Sequence, residues 1–349
     1  MKKFFAILLV SALLLPLAGC GGTKAPAATE AKPDLPLIGV SIFDYSNNFM
    51  GYVRRGIENY SKGKANLIIA DAQHDQAKQN DQIDTMISKG VKAIAINPVD
   101  PQAASAVIAK AKAANIPVIF FNKNPSKQDM FSYDKTWYVG IEPTNGGLIQ
   151  AEMIAKSFKE HPEYDKNKDG VIQYVLIKGE PGHPDAEART SRVVSRMQEL
   201  GLKTQQLELQ SANWDTSKAK DIMETWLAKH GDKIELVICN NDAMALGAVE
   251  ALKSNGYSTG AKYIPVIGIN ALPEVLVLIQ NDGMLGSVLS SPWDQARAVV
   301  DLAINAAQGK DPLAGTPWKL DDTKAVRQAD LPILKGNLDE ARKAYENCK

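Results

Sequence analysis

The feature that most limits the possible folds is an alternation of short apolar runs with longer amphipathic segments. The runs are rich in branched residues and have the length of buried strands, whereas the segments between them carry apolar residues at helical spacing. The predicted strands are Leu37–Phe43, Leu67–Ala70, Ala93–Ile96 and Val118–Phe121, and the predicted helices are Phe49–Tyr60, Asp81–Lys89 and Gln102–Ala114. Because strand–helix alternation builds right-handed βαβ units, we expect a parallel, doubly wound α/β sheet.

The same pattern starts again in the second half of the chain. There the predicted strands are Val171–Ile177, Val237–Cys239, Ile264–Ile269 and Leu285–Leu289, and the predicted helices are Ala186–Leu200, Ser217–Ala228 and Ala243–Lys253. Two similar α/β lobes place a cleft between the carboxyl ends of their sheets, where ligands of open α/β folds bind. The pattern therefore predicts a hinged, two-lobed binding protein.

The charges of the chain balance, with 40 Lys+Arg against 40 Asp+Glu in 349 residues. A balanced chain has no global field that attracts phosphates or anionic lipid, so we expect no nucleic-acid partner and a ligand selected by a local site. The three cysteines are too few for a disulfide scaffold. Cys239 is expected to be a buried thiol, and its pairing with Cys348 is left open.

The N-terminus has the features of a secretion signal, since two lysines precede an apolar run, Phe4–Leu17, that is too short to span a bilayer stably. The tetrapeptide Leu17-Ala18-Gly19-Cys20 resembles the bacterial lipobox, which predicts a signal peptide of residues 1–19 and a lipidated Cys20. Residues 20–35 are predicted to be a flexible tether. The protein would then be held on the outer side of a membrane by its lipid alone. The alternative is ordinary cleavage and release.

A segment that begins at Asp165 has the spacing of a calcium-binding loop. Positions 1, 3, 5 and 9 carry oxygen-bearing side chains, position 6 is glycine, and position 7 would supply its carbonyl; the candidate ligands are Asp165, Asn167, Asp169, Val171 and Gln173. Such loops wrap hard oxygen donors around Ca²⁺. Position 12 is Leu176 rather than glutamate, so a distant carboxylate must complete the site. The alternative is an acidic surface turn without metal.

The segment Lys178–Arg189 leaves a predicted strand, turns at proline and glycine, and enters a helix. Asp185 and Arg189 are four residues apart and share one helix face, close to His183. A carboxylate, an imidazole and a guanidinium in fixed geometry suit a neutral, polyhydroxylated ligand. A capped helix with a surface ion pair is the equally weighted alternative.

Two aromatic residues, Phe49 and Trp214, stand where strands are predicted to end. Apolar rings can cover the C–H faces of a sugar while polar groups read its edge. A single aromatic more often packs in a core, so this interpretation depends on the other motifs.

Several stretches together resemble the galactose/glucose-binding members of the periplasmic sugar-binding proteins, which serve ATP-driven importers. The similarity runs from about Ile38 to about Arg327, and its most specific pieces are Gln79–Asp84, Phe120–Lys123, Asp165–Thr190 and Asn240–Ala245. The resemblance implies the type I periplasmic binding protein fold, with two doubly wound α/β lobes joined by three hinge strands. The implied lobes are residues 36–140 plus 291–326 and residues 141–290 plus 327–349. The implied hinges lie near Gly140–Glu142, Leu289–Pro292 and Val326–Arg327.

The resemblance also implies the site residues. The implied sugar contacts are Asn122, His183, Asp185, Arg189 and Asn241, with Phe49 and Trp214 sandwiching the ring. The implied final Ca²⁺ ligand is Glu235, which supplies the carboxylate missing from position 12.

Three positions depart from the family pattern, where Asn47, Asn270 and Ser290 replace Asp, Asp and Asn. A carboxylate accepts from two hydroxyls at once, whereas an amide offers one acceptor and one donor group. The two changes from carboxylate to amide, at Asn47 and Asn270, are expected to weaken galactose binding by roughly tenfold or more, or to suit another aldose.

The predicted function is therefore a lipid-anchored, monomeric sugar-binding protein that catches D-galactose, D-glucose or a close aldose by lobe closure and delivers it to the permease of an ABC importer. Delivery to a chemoreceptor is left open. A pentose or modified hexose is the alternative ligand, and phosphate is disfavoured because only Arg189 and Lys123 are available as cations. A glycosidase using Asp185 and Glu187 is disfavoured because residues two apart on a helix point to different faces. A sugar-responsive transcription regulator would carry a helix-turn-helix where the secretion signal stands.

Overall fold

The structure is a computed structural model that describes residues 35–349. The predicted signal peptide, the predicted lipidation site at Cys20 and the predicted tether up to residue 34 lie outside these residues. Among the helices of the described part, none is long and apolar enough to cross a membrane.

The described chain alternates strands and helices almost throughout. The strands are β1 Leu37–Ile42, β2 Asn66–Asp71, β3 Ala93–Ile96, β4 Val118–Phe121, β5 Thr136–Gly140, β6 Ile172–Lys178, β7 Thr204–Ser211, β8 Leu236–Cys239, β9 Val266–Ile269, β10 Gly286–Ser290, β11 Ala325–Arg327 and β12 Asp330–Ile333. The helices are α1 Asn48–Ser61, α2 Gln76–Ser88, α3 Ala104–Ala113, α4 Lys127–Phe131, α5 Asn145–Glu160, α6 Pro184–Glu199, α7 Thr216–His230, α8 Asp242–Ser254, α9 Pro273–Gln280, α10 Pro292–Ala307 and α11 Leu338–Glu346. Short 3₁₀ turns join some of them.

The first lobe is a parallel sheet in the order β11-β5-β4-β3-β1-β2. Neighbouring residues on one strand point to opposite faces, so Phe121 packs with α1 and α10, whereas Phe120 packs with α2, α3 and α4. Because both faces are covered, the strands read as continuous apolar runs.

The second lobe is built in the same way, in the order β12-β10-β9-β8-β6-β7. Its strands are parallel except β12, which runs antiparallel to β10. Helices α5 and α6 cover one face, and α7, α8, α9 and α11 cover the other. The predicted fold class, two doubly wound α/β lobes, is confirmed.

The chain passes between the lobes three times, at residues 141–144, at Ser291 and at residues 328–329. These crossings are tied together, because Gln328 donates from its main-chain N–H to Gly140 at 2.8 Å and from its side chain to Ser291 at 3.3 Å. The predicted lobe boundaries stay a prediction, and β11 extends to Arg327, one residue beyond the predicted boundary.

Some element limits differ from the predictions. The helix predicted to begin at Asp81 begins at Gln76, because the side chain of Asp75 caps it by accepting from Lys78 N. The strand predicted to begin at Ile264 begins at Val266. Cys239 and Cys348 are both buried and are free thiols, so the pairing that the sequence left open does not form.

Candidate functional site

A cavity lies where the carboxyl ends of the two sheets face each other. The first lobe lines it with Phe43, Asn47, Phe49, Asn122 and Lys123, and the second lobe lines it with His183, Asp185, Arg189, Trp214, Asn241 and Asn270. Its free volume is about 40 Å³, and most of the residues that line it are buried. The lobes are therefore closed on each other around a small, mainly polar cavity.

Nine of the ten predicted ligand contacts line this cavity, and they come from both lobes. The tenth, Ser290, is not part of the cavity wall. Its hydroxyl donates to Oδ1 of Asp330 at 2.6 Å, across the pair formed by β10 and β12. The contact of the other nine residues with a ligand stays a prediction.

Three of the lining residues, Asn47, His183 and Asn241, are the N-cap residues of α1, α6 and α8. Each accepts a hydrogen bond from a main-chain N–H in the first turn of its helix, at 3.0–3.1 Å. Capping therefore uses the one acceptor of a neutral His183 and one lone pair of each amide oxygen, and it leaves the side-chain N–H groups free to donate.

His183 is neutral in this setting. Burial lowers its pKa well below the ordinary value of 6.5, and the nearby cations Lys123 and Arg189 lower it further. Because Nδ1 accepts the capping hydrogen bond, the ring proton is assigned to Nε2, which then acts as a donor.

Asp185 and Arg189 form a buried ion pair rather than a surface one, with exposed fractions of only 3% and 5%. Arg189 donates from Nη2 to Asp185 Oδ2 at 3.2 Å and from Nη1 to the carbonyl of Asn240 at 2.9 Å. Burial raises the pKa of Asp185, and Arg189 opposes that shift. Oδ1 of Asp185 and Nε of Arg189 have no partner within the described chain. These atoms are available for a ligand.

The two predicted aromatic walls come from opposite lobes. Phe49 belongs to α1 in the first lobe, and Trp214 lies between β7 and α7 in the second. The Trp214 ring packs against Gly179, where an added Cβ would overlap it, and its centroid lies 5.1 Å from that of His183 in an edge-to-face arrangement. The indole ring is therefore held in place beside the polar groups.

The backbone is strained at this cavity. Asn122, Trp214 and Asn270 all have positive φ, with values of 64°, 67° and 119°. Asparagine tolerates the left-handed region, but a bulky side chain rarely adopts it. Such residues concentrate at sites where the chain must present a side chain to a ligand.

A cross-lobe ion pair closes one side of the cavity. Lys123, 1% exposed, donates from Nζ to the carbonyl of Val99 at 2.8 Å in its own lobe and to Oε2 of Glu180 at 3.1 Å in the other lobe. Its ammonium also lies 4.4 Å from the centroid of the Phe43 ring. Burial lowers the pKa of Lys123, and Glu180 opposes that shift. Opening the lobes would break this pair.

Phe43 and Lys123 are the lining residues that were not predicted as contacts. Lys123 stands in the segment Phe120–Lys123 that carries the family resemblance, so a signal for it was present in the sequence. Phe43 was assigned to the first strand, and no signal separated it from the core residues before it.

The predicted calcium loop folds so that its side chains and Glu235 converge. Both carboxylate oxygens of Glu235 accept from the loop, from Lys166 N at 2.7 Å and from Gln173 N at 3.1 Å. Oδ2 of Asp165 accepts from Gly170 N at 2.9 Å, whereas its buried Oδ1 has no partner within residues 35–349. Gly170 has a φ of 72°, as the sharp turn requires.

The side chains of this loop that could ligate a cation all carry oxygen. In the structure the amide nitrogens of Asn167 and Gln173 donate hydrogen bonds to Oδ2 of Asp169 at 3.0 and 2.9 Å. A half-turn of either amide would present oxygen instead. In the described chain no group of three or more His, Cys, Asp or Glu side chains is arranged to hold a metal ion, so a cation here would also need amide and main-chain oxygens. Hard cations take this type of ligand.

Comparison with known proteins identifies relatives across most of the chain. A family profile described as "Periplasmic binding protein domain" matches residues 38–311. The D-galactose/methyl-galactoside binding periplasmic protein of Haemophilus influenzae is 47% identical over 306 residues, covering 87% of this chain and 91% of that protein. The ribose import binding protein of Bacillus subtilis is 29% identical over 331 residues, covering 93% and 100%.

Solved structures agree with the sequence relatives. A solute-binding protein of an ABC transporter from Bacillus halodurans, solved with bound myo-inositol, superposes with a TM-score of 0.74 at 27% identity. The match covers 89% of this chain and 98% of that one. The chain therefore belongs to the periplasmic binding protein family.

Proposed function

We propose that this protein captures D-galactose, D-glucose or a close aldose in the cavity between its lobes and delivers the sugar to an ABC importer. The observation that carries the proposal is the buried Asp185–Arg189 pair, whose unpartnered oxygen and nitrogen belong to a cavity walled by aromatic rings from both lobes. Buried polar atoms are costly unless a partner satisfies them. A polyhydroxylated ring provides such partners on its edge and apolar C–H faces for Phe49 and Trp214.

The relatives support binding rather than catalysis, since those compared above are named as binding proteins. Asp185 is the one carboxylate among the described lining residues. Glu187, the second member of the alternative glycosidase pair, is an exposed residue bonded to Lys178 at 2.6 Å. A glycosidase needs two carboxylates flanking one bond, so this arrangement favours a binding protein.

We expect Asn47 to determine which sugars the protein prefers. Its Oδ1 accepts the capping bond of α1, and its amide nitrogen adds an N–H donor at a position where an aspartate would present a second carboxylate oxygen. Isothermal titration with a panel of hexoses and pentoses tests the proposal. We expect the wild type to bind at least one aldose, and Asn47→Asp to change the relative affinities by roughly tenfold. A wild type that binds none of the panel would contradict the proposed function.

Membership of the family implies an extracytoplasmic location. We further infer that lipidation of Cys20 anchors the protein on that side of the membrane and that it works as a monomer. A sugar-loaded, closed form would also be the form presented to a chemoreceptor. Metabolic labelling with a palmitate analogue, in wild type and Cys20→Ala, tests the anchor.

We also propose that the loop beginning at Asp165 binds a structural Ca²⁺. The residues that would hold it are Asp165, Asn167, Asp169, Gln173 and Glu235 with the carbonyl of Val171. The unpartnered Oδ1 of Asp165 and the buried carboxylate of Glu235 support a cation between them. Bound Ca²⁺ would supply positive charge that neutralises the loop and ties it to β8.

Calcium is expected to raise the melting temperature of the protein. By linkage, a ligand at 100 times its Kd adds about 2.7 kcal/mol to the free energy of unfolding, which corresponds to a rise of several degrees in a chain of this size. Glu235→Ala should remove most of this shift, whereas the exposed neighbour Glu163→Ala should keep it. Differential scanning calorimetry with Ca²⁺ and with a chelator measures both. An unchanged melting temperature in wild type would show that the loop is only a turn.

A further inference from the structure

The carboxyl edge of the second sheet carries a row of polar residues that extends beyond the cavity wall. Asn241 follows β8 and Asn270 follows β9, and both line the cavity. The next strand in the sheet, β10, ends at Ser290. Because β12 runs antiparallel, its first residue, Asp330, lies opposite Ser290 at the same edge. The row therefore ends in a carboxylate beside the chain crossing at residues 328–329.

Only one of the two carboxylate oxygens of Asp330 has a hydrogen-bond partner within the described residues. Its Oδ1 accepts from the Ser290 hydroxyl at 2.6 Å, whereas its buried Oδ2 has no partner in the part of the chain that is described. Burial raises the pKa of Asp330 to about 6. The hydrogen bond from Ser290 and the charge of Arg189 lower this pKa, whereas the charge of Asp185 raises it. The Asp330 carboxylate is therefore close enough to interact electrostatically with the Asp185–Arg189 pair in the cavity.

The cavity wall offers few charged hydrogen-bond acceptors. His183 uses its acceptor in capping, Asn47 and Asn241 each use one lone pair of a neutral amide oxygen, and Arg189 and Lys123 only donate. Oδ1 of Asp185 is the one carboxylate oxygen of the wall without a partner in the described structure. A sugar, however, brings several hydroxyls that each need an acceptor.

We propose that Asp330 is a specificity-determining residue of this site: its free oxygen accepts a hydrogen bond from a sugar hydroxyl at the hinge side of the cavity, and Ser290 orients the carboxylate. The inference rests on the proposed function. Asp330 lies next to the chain crossing at residues 328–329, at the end of the sheet edge that carries Asn241 and Asn270. The Ser290–Asp330 pair then supplies a charged acceptor, which the neutral amides at positions 47 and 270 do not.

The test uses isothermal titration of wild type and Asp330→Asn with the best sugar of the panel and its monodeoxy analogues. We expect Asp330→Asn to weaken the parent sugar by roughly tenfold, because a charged hydrogen bond becomes a neutral one. For the one analogue that lacks the contacted hydroxyl, the variant and the wild type should bind about equally. A partly buried aspartate outside the cavity, Asp301, provides the control Asp301→Asn.

A pH series distinguishes a contact from a structural role. A hydroxyl that donates to Asp330 favours its ionised form, so wild-type affinity should fall as the pH is lowered through 6. Asp185 contributes to the same fall in both proteins, so the difference between wild type and Asp330→Asn isolates Asp330. Circular dichroism melts show whether the variant is folded, and Ser290→Ala gives a second, milder variant that should weaken the same sugar.

The outcomes separate the two proposals. A wild type that binds no sugar overturns the proposed function and this inference together. The inference alone is overturned if the wild type binds sugar and a folded Asp330→Asn binds the parent sugar with the same affinity. In that case both proteins would also lose the same affinity for every monodeoxy analogue and show the same dependence of affinity on pH.

Discussion

Replacing Asp185 with asparagine is expected to weaken sugar binding by roughly 10- to 100-fold. The change removes a charge-assisted hydrogen bond, which contributes about 1.5–3 kcal/mol, and it leaves Arg189 buried without its counter-charge. Breaking a buried pair by removing one partner costs about 3–5 kcal/mol of stability, so the melting temperature should fall as well. Isothermal titration and a thermal melt measure the two effects.

A matched control lies on the same helix. Glu199 also pairs with arginines of α6, but it is exposed and far along the helix from the cavity. Glu199→Gln should bind sugar as the wild type does, since exposed pairs contribute about 0–1 kcal/mol. If Asp185→Asn, shown to be folded, bound sugar as well as Glu199→Gln does, the assignment of the Asp185–Arg189 pair to the site would be wrong.

Replacing Trp214 with alanine is expected to cost about 30-fold or more in affinity. Large aromatic side chains at the centre of a binding site commonly contribute 2 kcal/mol or more, and here the ring is fixed by Gly179 and His183. The loss should appear for every sugar that binds, because stacking on a C–H face does not read individual hydroxyls. The titration panel therefore separates Trp214→Ala from Asn47→Asp, which should change the order of affinities.

The control for this prediction is Phe131→Ala, which removes an aromatic ring that is 49% exposed on the first lobe. It should leave binding unchanged. Equal affinities of Trp214→Ala and Phe131→Ala would mean that the indole does not touch the ligand.

The buried strands were predictable from the sequence because their faces are both covered. The limits of β3 and β4 coincide with the predicted runs, since apolar residues fill every position. In contrast, β7 was not predicted, because it is an edge strand rich in Gln and Glu. Nor was β12, whose Pro332 is tolerated only because the strand lies at an edge.

The candidate site was predictable where local motifs carried it. His183, Asp185 and Arg189 lie within seven residues, and helix geometry alone places the last two on one face. The bond between Ser290 and Asp330 could not be predicted, because it depends on an antiparallel pairing of strands 40 residues apart. The cross-lobe pair of Lys123 and Glu180 likewise depends on how the lobes close.

A crystal structure of the protein grown with the tightest-binding aldose of the panel would show directly whether the sugar binds between the lobes. One sugar is expected between the lobes, with its ring faces against Phe49 and Trp214 and its edge bonded to Asp185 and Arg189. Sugar density at any other place, or none at saturating concentration, would show that this cavity is not the sugar site.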